Sequence, residues 1–165
     1  MLYFSYGSNM SSLRLLARVP TARFVTTAML QRHELKYHKI SQVDGSGKCD
    51  IYFTNDLAHR VHGVVYDIDG DGKGFLDKIE GLGVGYNEKT VALIASNGSE
   101  LEAFTYYATL IDPAVKPYSW YKEHVVRGAR EFSLPLDYIE THVDVEAIED
   151  NDRERHAREL DIYQR

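Results

Sequence analysis

The segment at residues 86–109 reads YNEKTVALIASNGSELEAFTYYAT and carries the clearest structural signal in the chain. Apolar and polar residues alternate on both sides of an SNGS turn at residues 96–99, which is the pattern of two antiparallel strands joined as a hairpin. Runs of β-branched and aromatic residues, bounded by Gly, Asn and Asp, also occur at residues 22–40, 48–54 and 60–67. The pattern predicts that antiparallel strands make up the body of the fold.

Other segments have apolar residues at helical spacing: residues 11–18, 74–81, 119–132 and 136–148. The segment at 74–81 places Phe75, Leu76 and Ile79 on one helical face and runs into a glycine-rich loop, so a helix should end near Glu80. Strands interspersed with a few helices predict an α+β fold on a closed or strongly curved mixed sheet.

Length and composition predict one domain. A chain of 165 residues with 44% hydrophobic residues can bury a single core, and no repeat or linker divides it. We assign residues 1–152 to this domain. Residues 153–165 are largely charged and form a C-terminal tail, which we expect to be a solvated helix or disordered.

Charge and cysteine content exclude several classes of function. The net charge is −6 and lysine and arginine are not clustered, which argues against a nucleic-acid surface and favours small neutral or zwitterionic partners. We find no apolar run long enough to span a membrane and no signal peptide. Cys49 has no intrachain partner, which favours a reducing compartment. We expect a cytoplasmic protein, monomeric or homodimeric, in which Cys49 is inert.

The first candidate site is Tyr6-Gly7-Ser8-Asn9, which lies between an apolar strand and a helix. A glycine here lets the backbone turn sharply and aim several N–H groups at one point, where the helix dipole also favours negative charge. Such a turn would bind a carboxylate or stabilise an oxyanion. The alternative is an ordinary turn in which Ser8 or Asn9 caps the helix.

The second candidate is Glu80, at the C-terminal end of the 74–81 helix beside Gly81. Partial negative charge at the helix end and nearby apolar surface both disfavour the charged carboxylate, which makes it a stronger proton acceptor, as suits a general base. The alternative is a solvated surface residue, which is the usual role of a glutamate at a helix end.

Metal sites and a nucleophilic serine are disfavoured. Asp67-x-Asp69-x-Asp71-Gly72 matches the start of a calcium loop, but its twelfth position is Lys78, where a glutamate is needed. His59-x-x-His62 runs from a loop into a strand, so the two rings would not share a helical face for zinc. Ser8 lacks the G-x-S-x-G frame of a nucleophile elbow. We predict neither a metal nor a cofactor.

Three separated stretches resemble gamma-glutamylcyclotransferases: YGSNM at residues 6–10, LDKIEG at 76–81 and YKEHVVRGAREFSLPLDY at 121–138. The resemblance covers residues 1–152 and implies a small β-barrel with peripheral helices. It implies that Glu80 is the catalytic acid/base and that the Tyr6 to Asn9 turn holds an anion. By the same resemblance, Tyr121 lines the substrate pocket, and Tyr86 is the counterpart of a second pocket tyrosine.

The implied activity is cyclisation of a gamma-glutamyl amide to 5-oxoproline with release of the amine, and it needs no cofactor. The donor stays open: a gamma-glutamyl amino acid, a gamma-glutamyl amine or an antibiotic intermediate would share the fold and the glutamate. We expect the leaving group to meet residues 84–87 and 112–118. A non-catalytic module of the same fold, binding a small metabolite or a protein, is the alternative.

Overall fold

The structure is a computed structural model that describes residues 1–164; Arg165, the last residue of the predicted tail, lies outside this range. Within it the chain forms seven strands: β1 (Leu2–Ser5), β2 (Arg23–Gln31), β3 (His33–Ile40), β4 (Gly47–Phe53), β5 (Arg60–Asp67), β6 (Tyr86–Ala95) and β7 (Glu100–Ala108). The helices are α1 (Ser12–Arg18), α2 (Gly70–Glu80), α3 (Ser119–Glu131), α4 (Leu136–Tyr138, continued by a π-helical turn at Ile139–Val143) and α5 (Arg153–Leu160).

Five strands close into a barrel in the order β1, β5, β2, β6 and β7. Neighbouring strands are antiparallel, except that β7 meets β1 in parallel where Tyr3 pairs with Phe104. The predicted hairpin is present, with Tyr86 opposite Ala108 at its open end. Strands β3 and β4 form a separate two-stranded sheet. The expected α+β fold on a mixed β-barrel with peripheral helices is therefore confirmed.

Two helices differ from the sequence expectation. Helix α2 begins at Gly70, and only Leu76 of its three expected core side chains is buried, whereas Phe75 and Ile79 are 48% and 41% exposed. The helical turns after Leu136 end at Val143, not near residue 148. The physical reason for the first difference is that α2 buries only a narrow stripe, Gly72 and Leu76, so the neighbouring apolar positions face solvent.

The acidic run before α2 caps a helix. The Asp69 carboxylate accepts a hydrogen bond from Gly72 N at 2.7 Å, and the Asp67 carboxylate pairs with the N-terminal ammonium at 2.8 Å. Among residues 1–164, no group of three His, Cys, Asp or Glu side chains is arranged to hold a metal ion. The run therefore starts α2, as an N-cap does.

Helix α3 packs directly on the turn that follows β1. A Cβ atom at Gly128 would overlap Ser11 N and the Met10 carbonyl carbon, so the two backbones meet with no side chain between them. Residues Ser8–Met10 form a short 3-10 helix at this contact. The close packing fixes the position of the turn relative to the barrel.

The charged tail is helical and contacts the body of the protein through polar side chains. Glu159 of α5 pairs with Arg14 at 2.8 Å, and Arg155 pairs with the buried carboxylate of Asp150. No helix in the described part of the chain is long and apolar enough to cross a membrane.

His124 on α3 lies at the centre of the contact with the tail and is fully buried. Arg14 Nη1 lies 2.8 Å from His124 Nε2; because an arginine only donates, that nitrogen accepts and the imidazole proton resides on Nδ1. Nδ1 then donates to the Tyr163 hydroxyl at 2.7 Å, which in turn donates to Ser11 Oγ at 2.9 Å. The network requires a neutral histidine.

We expect this histidine to make the protein less stable in mild acid. Burial lowers the pKa of His124 from 6.5 to about 4, so between these values the unfolded chain binds a proton that the folded chain does not. The free energy of unfolding should therefore fall by about 2 kcal/mol between pH 7.5 and pH 5 from this group alone. Urea unfolding of the wild type and of His124→Gln at both pH values measures the difference.

The control for this experiment is His156→Gln, which removes a partly exposed histidine from α5. We expect His124→Gln to reduce the pH dependence of the unfolding free energy, while His156→Gln leaves it close to that of the wild type. An equal pH dependence in all three proteins would show that the His124 network does not sense protons.

Candidate active site

The Tyr6 to Asn9 turn forms one wall of a polar cavity. A Cβ atom at Gly7 would come within 3.0 Å of Cys49 Cβ, so the glycine lets β4 approach the turn. The N–H groups of Gly7, Ser8 and Asn9 make no hydrogen bond within residues 1–164. Neither Ser8 nor Asn9 supplies a side-chain cap to the following helical turns. The turn thus presents three consecutive free donors, as an anion-binding turn does.

Glu80 is the last residue of α2, because Gly81 adopts a left-handed conformation (φ 64°) that ends the helix. Its side chain is only 17% exposed. Asn9 Nδ2 donates to Glu80 Oε1 at 3.1 Å, while Oε2 has no hydrogen-bond partner among the described residues. The structure therefore brings together the two candidate sites found in the sequence, leaving one carboxylate oxygen free to take a proton.

Arg18 determines how Asn9 is oriented. Its Nη1 donates to Asn9 Oδ1 at 2.8 Å and lies 3.8 Å from Glu80 Oε1. Because a guanidinium only donates, the Asn9 amide nitrogen must face Glu80 and the Tyr3 hydroxyl, 3.2 Å away. The sequence predicted nearby apolar surface and the negative end of a helix at Glu80. The structure adds a cation and an amide donor that face the carboxylate, which the sequence did not indicate.

The three predicted site tyrosines line the same cavity and are held by backbone hydrogen bonds. The Tyr86 hydroxyl donates to the Cys49 carbonyl at 2.8 Å, and the Tyr121 hydroxyl accepts from Cys49 N at 3.1 Å. The Tyr6 hydroxyl donates to the Tyr106 carbonyl at 2.6 Å. Burial raises the pKa of all three phenols, so they remain neutral and rigidly placed.

Sequence analysis missed four further lining residues: Tyr3, Ser5, Cys49 and Tyr106. The first two were detectable in principle, because alternation along β1 places them on one face. Cys49 and Tyr106 come from other strands and left no such signal. Burial raises the pKa of the Cys49 thiol to about 12, so it remains protonated and is a poor nucleophile.

The cavity has a volume of about 30 Å³ and opens into a groove of about 500 Å³. Four residues line both the cavity and the groove, so the two form one site: Ser8, Glu80, Tyr86 and Tyr121.

The segments expected to meet the leaving group lie in different places. Residues 84–86 lie on the groove, as expected for such a segment. Residues 113, 115, 116 and 117 of the 112–118 loop instead line a separate depression beside β3, so these four do not lie on the groove as expected. The tail folds back over the site, and its helix α5 forms one side of the groove through Arg155, Arg158 and Glu159.

The arrangement suits proton transfer beside a developing negative charge. Glu80 supplies a carboxylate, and the turn supplies free N–H donors of the kind that stabilise oxyanions. No histidine among residues 1–164 lines the cavity, so Ser8 has no imidazole base partner there for nucleophilic catalysis.

Fold and site together define a class of protein, a small α+β barrel with a semi-buried carboxylate beside a turn of unbonded backbone N–H groups. The chain belongs to the gamma-glutamylcyclotransferase family, which confirms the resemblance and the expectation of an enzyme of this class. It is 34% identical to the human gamma-glutamylcyclotransferase and 33% identical to the bovine one, each over 92% of this chain and 80% of the relative.

Two further comparisons agree with this assignment. Residues 60–141 match the AIG2-like family. A solved structure of a gamma-glutamyl cyclotransferase superposes with a TM-score of 0.86 at 29% sequence identity and covers 99% of this chain and 98% of its own. The likeness therefore extends over the whole described fold.

Proposed function

We propose that the protein cyclises the gamma-glutamyl group of a gamma-glutamyl amide to 5-oxoproline and releases the amine or amino acid. The observation that carries this proposal is the pairing of Glu80, with Oε2 free, and the unbonded N–H groups of the Gly7 to Asn9 turn. Membership of the gamma-glutamylcyclotransferase family supports it.

In the proposed reaction Glu80 takes a proton from the substrate α-ammonium group. The neutral amine attacks the gamma carbonyl carbon, which forms the ring C–N bond and places negative charge on the carbonyl oxygen. Collapse of this intermediate breaks the original amide C–N bond, and Glu80 returns its proton to the departing nitrogen. The ring nitrogen loses its second proton to the released amine, which leaves as an ammonium. Free N–H groups of Gly7, Ser8 and Asn9 stabilise the oxyanion or hold the α-carboxylate, and one such donor is worth about 3–4 kcal/mol when it acts on the oxyanion.

Substrate conformation supplies much of the rate. Because the nucleophile and the carbonyl belong to one molecule, a pocket that holds the substrate curled gains roughly 7–11 kcal/mol relative to separated reactants. Tyr6, Tyr86 and Tyr121 are suited to this role, since each is buried and tied to backbone atoms. The scheme requires neither a metal nor an organic cofactor.

We infer the remaining properties from the sequence. A single cysteine fits a cytoplasmic protein, and a net charge of −6 fits a small-molecule partner better than a nucleic acid. Residues 1–152 would form the catalytic domain, acting as a monomer or homodimer. The tail from residue 153 would complete the groove through α5.

Release of 5-oxoproline from a panel of donors tests the proposed function. The panel contains gamma-glutamyl amino acids, gamma-glutamyl amines and glutathione, each incubated with purified protein and analysed for 5-oxoproline and free amine in equal amounts. We expect turnover of at least one class. A protein that binds a panel member but releases no product from any would instead support the non-catalytic alternative.

A further inference from the structure

The groove outside the cavity is lined by basic side chains, most of which already have partners. Four of them form ion pairs: Arg14 with Glu159, Arg18 with Glu80, Lys48 with Asp44, and Arg155 with Asp150. Two more, Lys78 and Arg158, are exposed. Only Lys39 is left among the basic residues that line the described groove.

Lys39 lies at the end of β3, and its side chain is buried, with 7% exposed. Its ammonium makes no hydrogen bond or ion pair with any residue between Met1 and Gln164, although it lies 4.9 Å from the centroid of the Tyr86 ring. Burial lowers the pKa of Lys39, and the charges of Glu80 and Asp44 oppose this effect. The ammonium thus lies at the groove without a hydrogen-bonded anion, and a cation placed in this way in a cleft is a candidate binding group.

The location of Lys39 indicates which part of a substrate it faces. Tyr86 lines both the cavity and the groove, whereas Lys39 lines only the groove. Its Nζ would lie 3.5 Å from a Cβ atom placed on Gly85, within the 84–86 segment. A donor with its gamma-glutamyl end beside Glu80 would therefore extend its leaving group past this ammonium.

We propose that Lys39 binds a carboxylate on the leaving group and thereby favours donors whose departing amine is an amino acid or peptide over donors whose departing amine is uncharged at that position. The proposal rests on the proposed cyclotransferase function. A carboxylate in the groove would supply the anionic partner that this ammonium lacks, and charge-assisted hydrogen bonds of this kind are stronger than neutral ones.

A different role for Lys39 would be to act on Glu80 through its charge. That role would change the rate for every donor by the same factor, because Glu80 acts on all of them. The two roles are separated by donors that differ only in the charge of the leaving group.

The experiment compares gamma-glutamyl-alanine with gamma-glutamyl-alaninamide, whose leaving group has the same shape without the negative charge. We expect wild-type protein to prefer the former in kcat/KM, and Lys39→Met to reduce this preference about 10- to 100-fold, mostly through KM. Lys39→Arg should restore part of the preference because the positive charge is retained. Lys78→Met, which removes an exposed lysine from the same groove, is the matched control and should leave the preference near the wild-type value.

Each alternative outcome has a distinct meaning. If Lys39→Met lowered kcat/KM by the same factor for both donors, with the fold intact by circular dichroism, the leaving-group assignment would be overturned. A Lys78→Met protein that lost the preference as strongly as Lys39→Met would overturn it too. If the wild type turned over neither donor nor any other member of the panel, the proposed function itself would fail, and the Lys39 assignment with it.

Discussion

Replacement of Glu80 by glutamine is expected to lower kcat for 5-oxoproline release by about 10²- to 10⁴-fold, the usual contribution of a general acid/base. Glutamine has nearly the same size and can still accept the hydrogen bond from Asn9 Nδ2 that Oε1 accepts at 3.1 Å. It cannot take a proton from the substrate amine. The loss should therefore fall on kcat, with a small change in KM.

The Glu80→Gln measurement needs a control for folding and for the loss of a negative charge. Glu123→Gln removes a carboxylate on α3 that is 39% exposed and pairs only with Arg127 among the described residues, and it should turn over substrate at the wild-type rate. Thermal unfolding should be similar in all three proteins. A Glu80→Gln protein with wild-type kcat would exclude Glu80 as the base and remove the basis of the proposed mechanism.

Replacement of Asn9 by alanine is expected to lower kcat by about 10- to 100-fold, as the loss of a hydrogen bond to a charged group typically costs about 1.5–3 kcal/mol. The Asn9 side chain connects Arg18 to Glu80. Its Oδ1 accepts a hydrogen bond from Arg18 Nη1 at 2.8 Å, and its Nδ2 donates one to Glu80 Oε1. Without the amide, Arg18 Nη1 is left 3.8 Å from Glu80 with nothing to hold the carboxylate in place. The catalytic oxygen would then sample several orientations.

Kinetic parameters distinguish this positioning role from substrate binding by Asn9. A fall in kcat with little change in KM fits positioning, whereas a raised KM at normal kcat would contradict it and assign the amide to the substrate. Ser8→Ala is the matched control in the same turn, because it keeps the backbone N–H and the Ser8 hydroxyl makes no hydrogen bond in the described chain. We expect Ser8→Ala to retain most of the activity.

Several features of the fold were predictable because they depend on residues close together in the chain. The β6–β7 hairpin follows from alternation around residues 96–99, and the end of α2 follows from the left-handed Gly81. The free N–H groups of the 6–9 turn follow from a glycine placed between a strand and a helical turn. Each is set by local backbone preference and hydrophobic period.

Prediction was poorer where exposure depends on a distant surface. Helical spacing placed Phe75, Leu76 and Ile79 on one face, but in the folded chain only Leu76 of the three is buried. Residues 113 and 115–117 of the loop that was expected at the site line a different depression. The charged tail instead supplies part of the groove, because Arg14, far away in sequence, pairs with Glu159.

The sequence by itself determined the elements, the class of fold and, through its three motifs, the residues at which to look for chemistry. Only the tertiary structure decided how those residues act on one another: that Asn9 holds Glu80 across 71 positions of sequence, that Arg18 orients Asn9, and that Lys39 lines the groove without an ion pair to any of residues 1–164. The physical reason is the separation in sequence over which each kind of interaction acts. Turns, caps and strand alternation depend on near neighbours, whereas the partner of a buried charge depends on which distant segments the closed barrel brings together.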